Sequence, residues 1–280
     1  MSSSGDEGTR NRIREEFPAL LSACTILLII ICGYEIMEAL TPDSLGGERG
    51  KARIIKYRIS VVEILRYLKQ FYSYKELSRI TGVNETTLCR YIRGSSIPSF
   101  EQAQQIWSKL NQSLDLSSLI LRGINISSEG LLEYSSLLTD PVILKVLSSR
   151  LYLELSGYRI TKIVTKENII LSLATVLSMY LNAGLFIVSD RVPLTKDYIV
   201  ENIIEPPNKI RTIYIPRIQA RKREEVIILW DLLKDLEEVL AVVRGLEKNK
   251  MYIHLVFALI VIGDKPLRDS RLQVKYLFKI

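Results

Sequence analysis

The stretch Glu224–Leu240, "EEVIILWDLLKDLEEVL", decides how the second half of this chain folds. A run of apolar residues that ends at Trp230 predicts a buried strand, and the acidic residue Asp231 follows it. After a short polar turn, apolar residues recur at helical spacing, which predicts an amphipathic helix. A strand, a turn and a helix in this order form the repeating unit of α/β proteins, which present such turns to their ligands.

The same alternation extends from Leu138 to the end of the chain. Strands are predicted at residues 159–167, 184–190, 211–216, 224–231, 251–263 and 272–280, and helices at 140–155, 169–183 and 235–249. Short apolar strands separated by amphipathic helices are typical of a mostly parallel sheet covered on both faces. Ligands of such sheets bind at the carboxyl ends of the strands, so the loops after Val164 and Leu229 are candidate ligand loops.

The positive charge of the chain is concentrated in one short segment. The formal net charge is +7, and residues 51–110 carry eleven Lys or Arg against four Glu, which is again +7. A local excess of this kind is expected of a module that binds a polyanion such as nucleic acid.

Cysteine and histidine are too few for several kinds of site. Cys24, Cys32 and Cys89 lack metal-ligand spacing, and their odd number indicates free thiols in a reducing, cytoplasmic compartment. His254, the only histidine, lies in an apolar run and is interpreted as a packed strand residue. A histidine-rich metal site or a Ser-His-Asp triad is close to excluded by these counts, and no metal or cofactor is predicted.

Residues 1–50 contain a hydrophobic run at Ala19–Tyr34 and a glycine-containing linker after it. As a helix, this run would span roughly 24 Å, which is short of the roughly 30 Å hydrocarbon core of a bilayer. Three interpretations stay open: a short membrane anchor, a helix buried in a dimer interface, or translated sequence upstream of a start at Met37. Acidic residues flank the run closely, so a signal peptide is disfavoured and a membrane partner is not expected.

Residues 51–113 show the start and stop signals of several short helices. Ser73 and Ser99 each precede a Glu or Gln by three residues, which is the pattern of a capping box. Asn84 can cap a further helix, and glycines follow two of the helices, as is common at helix ends. The segment therefore predicts an all-helical domain.

The segment Glu76–Ile106, "ELSRITGVNETTLCRYIRGSSIPSFEQAQQI", resembles the helix-turn-helix DNA-binding domain of the Cro and phage-repressor type. The Gly-Val turn, the Thr-rich start of the next helix and its exit through "IPS" carry the resemblance. It implies a recognition helix in the major groove of double-stranded DNA. The residues expected to contact bases or phosphates are Tyr74, Lys75, Asn84, Thr86, Thr87, Arg90, Arg93, Ser95 and Ser96.

Residues 138–280 follow a Ser- and Leu-rich connector at 114–137 and resemble the type I phosphoribosyltransferase family. "KIVTKENIILSLATVLSMYL", Lys162–Leu181, is similar to the family's strand, pyrophosphate loop and helix. "VIILWDLLKDLEEVLAVV", Val226–Val243, is similar to its strand, paired acids and ribose-phosphate loop. The whole chain looks like archaeal regulators in which this domain follows a helix-turn-helix. The resemblance implies an α + α/β fold, with an all-helical domain followed by a mostly parallel sheet.

Both loops depart from the family at positions that carry its chemistry. In the first, an isoleucine and a serine replace a glycine and a proline; in the second, Trp230 replaces the first acid and Asp231 keeps the second. Asp235 and Glu238 stand where the family has small or hydroxyl residues, and a phosphate beside a carboxylate costs roughly 4 kcal/mol per like pair near 4 Å at a dielectric of about 20. These degenerate ligand loops contain Lys166, Glu167, Asn168, Trp230, Asp231, Lys234, Asp235 and Glu238.

Taken together, the sequence predicts a cytoplasmic transcriptional regulator that binds double-stranded DNA as a homodimer. Its phosphoribosyltransferase-like domain is expected to be a pseudoenzyme with no catalytic residues, used for dimerisation and for sensing a small-molecule effector. Two alternatives stay open. One is an active purine or pyrimidine salvage phosphoribosyltransferase with a DNA-binding appendage, and the other is a membrane-tethered regulator.

Overall fold

The computed structural model describes residues 48–121, 125–126, 132–193, 197–205, 209–217, 224–263 and 272–279. The chain divides into two compact units, Met1–Lys51 and Ala52–Ile280. The hydrophobic run at Ala19–Tyr34 lies outside the described residues. In the part of the chain that is described, no helix is both long enough and apolar enough to cross a membrane.

Four helices come first along the described chain, and the last three of them begin at the predicted signals, while the first begins within the predicted linker. They are α1 (Glu48–Leu68), α2 (Tyr74–Thr81), α3 (Glu85–Arg93) and α4 (Phe100–Ser113). The Ser73 and Ser99 hydroxyls each accept a hydrogen bond from the third residue of their helix, and the Asn84 side chain does the same for α3. Gly82 and Gly94 end α2 and α3 with φ of 72° and 79°, the left-handed conformation that glycine adopts without strain.

The remaining helices are α5 (Leu116–Leu121), α6 (Ser135–Thr139), α7 (Pro141–Leu155), α8 (Leu171–Leu181) and α9 (Glu237–Lys248). Pro141 opens α7 behind Asp140, whose carboxylate accepts a hydrogen bond from the Val142 N–H at 2.7 Å. The ammonium of Lys56 on α1 donates to the carbonyl oxygens of Met179 and Tyr180 at the end of α8, at 3.2 and 2.9 Å. A cation there stabilises carbonyl groups that have no partner within their own helix.

The strands are β1 (Asn125–Ile126), β2 (Leu132–Glu133), β3 (Lys162–Lys166), β4 (Gly184–Val188), β5 (Tyr198–Glu205), β6 (Lys209–Pro216), β7 (Glu225–Leu233), β8 (Tyr252–Val261) and β9 (Val274–Lys279). Five of them form a central sheet in the order β4-β3-β7-β8-β9, and every neighbouring pair is parallel. The predicted α/β architecture with a mostly parallel sheet is thereby confirmed.

Three strands escaped the sequence prediction: the two-residue strands β1 and β2, which lie in the predicted connector, and β5. β5 and β6 form a separate two-stranded antiparallel sheet, so residues 211–216, predicted among the strands of the main sheet, pair with β5 instead. Polar Glu201 and Asn202 interrupt the apolar pattern of β5. Glu201 is nevertheless buried, because Arg244 and Lys248 of α9 both pair with its carboxylate.

One hydrophobic core lies between the central sheet, α9 and the β5–β6 hairpin. Val226, Ile228 and Trp230 of β7 belong to this cluster of buried side chains together with Val239 and Val242 of α9. Successive residues of a strand point to opposite faces, so Asp231 projects to the face opposite Trp230. Trp230 and Asp231, which are adjacent near the end of β7, therefore contact different sets of residues on the two faces of the sheet.

Candidate functional site

The two candidate ligand loops lie side by side at one edge of the central sheet. β3 and β7 are parallel neighbours, so the loop after Lys166 and the turn after Leu233 leave the sheet on the same side. These loops lead into α8 and α9. The placement agrees with the expectation that a site would form at the carboxyl ends of these strands.

Asp231 is the centre of the first group of residues. Asp231 is only 6% exposed. Its Oδ2 accepts hydrogen bonds from the Tyr134 hydroxyl at 2.8 Å and from the Asn168 amide at 2.7 Å. The Asn168 side-chain oxygen in turn accepts from the N–H of Ile170 at 3.2 Å, which ties the loop to the start of α8. A buried carboxylate needs such donors to offset its lost hydration.

The pKa of Tyr134 is raised, first by burial and then by the charge and hydrogen bond of Asp231. The phenol therefore stays protonated at neutral pH and remains a donor. Both hydrogen bonds to Asp231 reach Oδ2, and a carboxylate has about four acceptor positions over its two oxygens. The described residues provide no donor for Oδ1. This oxygen can therefore accept a hydrogen bond from a hydroxyl group of a ligand.

Glu238 is the centre of the second group. Its Oε1 accepts from the Arg211 guanidinium at 2.7 Å, and its Oε2 pairs with the Lys166 ammonium at 2.5 Å. The indole N–H of Trp230 donates to the same Oε2 at 3.3 Å, and the Lys166 ammonium lies 4.7 Å from the centre of the Trp230 ring. The Glu238 side chain is 14% exposed, so this is a largely enclosed ion-pair network.

The start of α9 is capped by the chain itself. The Asp235 carboxylate accepts a hydrogen bond from the Glu237 N–H at 3.1 Å, and Glu237 is exposed. The sequence predicts that the acidic residues of this turn satisfy the helix terminus themselves and leave up to three carboxylates facing a phosphate. Asp235 does bond to the first N–H of α9, and Glu237 is exposed. Glu238 differs from this expectation, because it pairs with the two cations Lys166 and Arg211.

The eight predicted loop residues thus separate into sets. Asn168 and Asp231 form one group, and Lys166, Trp230 and Glu238 form another. The others do not join either group: Glu167 accepts from the Ser189 hydroxyl at 2.7 Å, Lys234 is exposed, and Asp235 caps α9.

Sequence reasoning missed Tyr134 and Arg211, which complete the two groups. Tyr134 lies 97 residues from Asp231, and Arg211 lies 27 residues from Glu238. Neither belongs to a motif, so only the tertiary fold reveals their role.

The nine residues predicted to contact DNA lie at the start of α2, in α3 and just after it. On α3, Thr86, Arg90 and Arg93 are exposed while Leu88 and Tyr91 are buried, as the helical periodicity predicted. The others are Tyr74 and Lys75 in the first turn of α2, Asn84 at the N-cap, Thr87 in α3, and Ser95 and Ser96 beyond Gly94. Their assignment to DNA stays a prediction, because nothing in the structure tests it.

The residues with metal-binding side chains are scattered. Among the described residues, no group of three or more His, Cys, Asp or Glu side chains could hold a metal ion. His254 lies in β8 with its ring centre 3.9 Å from that of Tyr158, and burial lowers its pKa. Its place is that of a packed strand residue.

Solved structures provide the comparison for this architecture, since no protein-family model and no curated protein matches the chain. Adenine phosphoribosyltransferase from Rhodothermus marinus is 18% identical, with a TM-score of 0.52 over 59% of this chain and 98% of that one. The enzyme from Thermoanaerobacter pseudethanolicus is 16% identical, with a TM-score of 0.52 over 59% and 99%. The Trypanosoma brucei enzyme, in complex with AMP, pyrophosphate and ribose-5-phosphate, is 11% identical, with a TM-score of 0.51 over 60% and 81%.

These likenesses show that the C-terminal part of the chain has a type I phosphoribosyltransferase-like fold. They also correct the predicted function. The solved structures named above are adenine phosphoribosyltransferases and give no support to the interpretation as a DNA-binding transcriptional regulator, which is wrong on this comparison. The homodimer, the effector and the archaeal source stay predictions.

Proposed function

We propose that this chain is a phosphoribosyltransferase-type protein that holds a phosphoribosyl compound at the carboxyl edge of its sheet and transfers that group to a purine base. The observation that carries the proposal is Asp231, a buried carboxylate at the end of β7 that two donors hold by one oxygen. A carboxylate held in this way is preorganised to accept hydrogen bonds from the vicinal hydroxyls of a ribose.

The neighbouring side chains support the same ligand. Asn168 connects Asp231 to the loop that leads into α8, so a ribose bound at Asp231 also lies against that loop. On the other side of the strand, Lys166 and Arg211 supply two cations close to the turn that precedes α9. Cations of this kind recognise the phosphate groups of a sugar phosphate.

The choice of a purine base rests on the fold comparison. The solved structures of similar fold named above are adenine phosphoribosyltransferases. In the proposed reaction, a ring nitrogen of adenine bonds to C1 of the ribose and loses its proton, while pyrophosphate leaves C1 with the bonding electrons. The absence of catalysis expected from the sequence is the opposite prediction, and one assay decides between them.

The experiment measures binding and transfer separately. Binding of ribose 5-phosphate and of phosphoribosyl diphosphate, supplied as its magnesium salt, is followed by titration calorimetry. Formation of AMP from phosphoribosyl diphosphate and adenine is followed by chromatography. We expect Asp231→Asn to weaken the binding of both compounds about tenfold or more, because one neutral amide oxygen replaces two charged acceptor oxygens. Turnover should fall as well.

The matched control is Asp197→Asn, which removes the same charge from a side chain that is 75% exposed and that lies 3.7 Å from the Arg217 guanidinium. This variant should behave like the wild type. If the folded wild-type protein binds neither compound, the proposal fails. If it binds them without forming AMP from adenine or any other purine, the transfer step fails and the expectation of a non-catalytic domain is supported.

A further inference from the structure

Glu238 uses both of its carboxylate oxygens within the protein. Oε1 is held by Arg211, and Oε2 is held by Lys166 and the Trp230 indole. Exposed ion pairs exchange readily with solvent, but here the Glu238, Lys166 and Arg211 side chains are only 14%, 25% and 31% exposed. The carboxylate is therefore an integral part of the folded structure.

The partners of Glu238 are those that a phosphate group would need. An Arg guanidinium, a Lys ammonium and an indole N–H are donors that recognise anionic oxygens. Glu238 is also the second residue of α9, within the first turn of the helix, where a negative charge is favoured. The Glu238 carboxylate therefore binds the same donors that an anionic ligand would bind at this position.

We propose that Glu238 occupies the phosphate subsite as an internal anion and competes with the ligand's phosphate for Lys166 and Arg211. This inference rests on the proposed function and adds to it the residue that sets specificity for the phosphate. The charges of Lys166, Arg211 and Glu238 add up to one positive charge, and the two cations alone carry two. A phosphate must displace the carboxylate before it gains both cations.

Trp230 makes this displacement harder. Its fully buried ring belongs to the core, and its indole N–H fixes one oxygen of Glu238. The same ring faces the Lys166 ammonium at 4.7 Å, so it also fixes the cation. The residue that replaces the first acid of the family's loop therefore holds both partners of an ion pair.

The test compares ligands with and without a phosphate. We expect Glu238→Gln, which keeps the size of the side chain and removes its charge, to bind ribose 5-phosphate about tenfold tighter than the wild type. Adenosine, which has a ribose and no phosphate, should bind both proteins equally. Glu237→Gln removes the same charge from the exposed neighbouring residue and should not change either affinity.

A double variant identifies the cation involved. Adding Lys166→Met to Glu238→Gln removes one of the two cations, so ribose 5-phosphate affinity should return toward that of the wild type. Circular dichroism and a thermal melt show that each variant is folded. If Glu238→Gln does not fold, Glu238→Thr, with a shorter side chain and an uncharged hydroxyl, replaces it in the same measurements.

The results separate this inference from the proposed function. Equal affinities of wild type and Glu238→Gln for ribose 5-phosphate would overturn the role of Glu238 and leave the proposed function in place. If no protein binds adenosine or ribose 5-phosphate, the proposed function fails. Titration with inorganic phosphate, followed by phosphorus NMR, then decides the inference by itself: tighter binding to Glu238→Gln supports it, and equal binding overturns it.

Discussion

Tyr134 and Asp231, which are 97 residues apart in the chain, are joined by a hydrogen bond of 2.8 Å from the phenol hydroxyl to Oδ2. Burial and the neighbouring carboxylate raise the pKa of Tyr134, so the hydroxyl remains a donor over the whole neutral range. This bond fixes the Asp231 side chain in one orientation, together with the bond from Asn168 at 2.7 Å. The acid at the end of β7 is thus held ready by a residue from outside both candidate loops.

Replacing Tyr134 with Phe should destabilise the protein by about 1 kcal/mol, because Asp231 loses one of its two donors. Ribose 5-phosphate should bind more weakly as well, since the carboxylate is less well oriented. Urea unfolding and titration calorimetry measure the two effects. Tyr252→Phe, at a residue 65% exposed, is the control and should change neither. Unchanged stability and affinity in Tyr134→Phe would show that the bond does not hold the site.

Replacing Asn168 with Asp should place a second carboxylate beside Asp231, at the position from which the amide now donates at 2.7 Å. Two like charges near 4 Å repel by roughly 4 kcal/mol at an effective dielectric of about 20, so the variant should be clearly less stable at pH 7.

The repulsion in Asn168→Asp has a defined pH dependence. It raises the pKa of the carboxyl pair in the folded state above the unfolded value of about 4, so the penalty should grow as pH rises past that value and vanish below it. Urea unfolding at pH 4 and pH 7 measures the difference. Asn202→Asp, an exposed residue that accepts a hydrogen bond from Thr212, is the control, and a penalty that does not depend on pH would contradict the argument.

Two buried tyrosines should make the protein sensitive to alkali. Burial raises the pKa of Tyr152 from 10.0 to about 12, and burial also raises the pKa of Tyr57. Since the folded values exceed the unfolded value, this contribution to stability is complete below pH 10 and is lost as the pH rises through the folded value.

The free energy of unfolding, measured by urea titration between pH 9 and pH 12, should therefore fall by at most about 1.4 kcal/mol per pH unit for each tyrosine. Tyr152→Phe should remove its share of the fall, at the cost of the hydrogen bond that the hydroxyl donates to the Arg53 carbonyl oxygen at 3.1 Å. A steep fall that is identical in Tyr152→Phe would assign the sensitivity to other groups.

Gly245 lets α9 approach the β5–β6 hairpin closely. A Cβ at this position would lie 2.2 Å from Cδ1 of Ile215 on β6, which is far inside van der Waals contact. Gly245→Ala should therefore cost about 1 to 3 kcal/mol, although alanine favours a helix over glycine by about 1 kcal/mol. Ile215→Val removes Cδ1, so the loss of stability caused by Gly245→Ala should be much smaller when both substitutions are combined. Thermal melts of the four proteins measure the interaction, and independent effects of the two changes would disprove the contact.

Local signals in the sequence predicted much of this fold. Ser73 and Ser99 could be recognised as helix caps because the groups they bind lie within four residues. The inner strands β7 and β8 could be recognised because most of their residues are buried on both faces, which leaves nearly continuous apolar runs. β5 could not, because its buried Glu201 is compensated by Arg244 and Lys248 from a helix more than forty residues away.

The site was predicted only in part, because some of its residues can be located from the sequence while others come together only through contacts between distant segments. Asn168 lies in the loop after β3, Asp231 lies near the end of β7 and Glu238 lies in the first turn of α9. Their common position at the carboxyl edge of the sheet follows from the strand order, so they could be named. Tyr134 and Arg211 reach them only through tertiary structure, and the sequence contains no sign of either contact. The pairing of Glu238 with Lys166 and Arg211 also could not be foreseen, because both cations reach it only in the folded structure. The predicted role as a regulator rested on the charge of residues 51–110 and on the helix-turn-helix resemblance, and the fold comparison does not support it.

The parallel order of the central sheet has a consequence for how the protein is made. β3 pairs with β7 across the whole β4–β6 segment, and Arg211 and Lys166 both precede Glu238 in the chain. Contacts between such distant segments form late in folding, because the loop that joins them must close first. During synthesis the two cations therefore emerge before the carboxylate that neutralises them, and the growing chain carries their excess positive charge until α9 has been made.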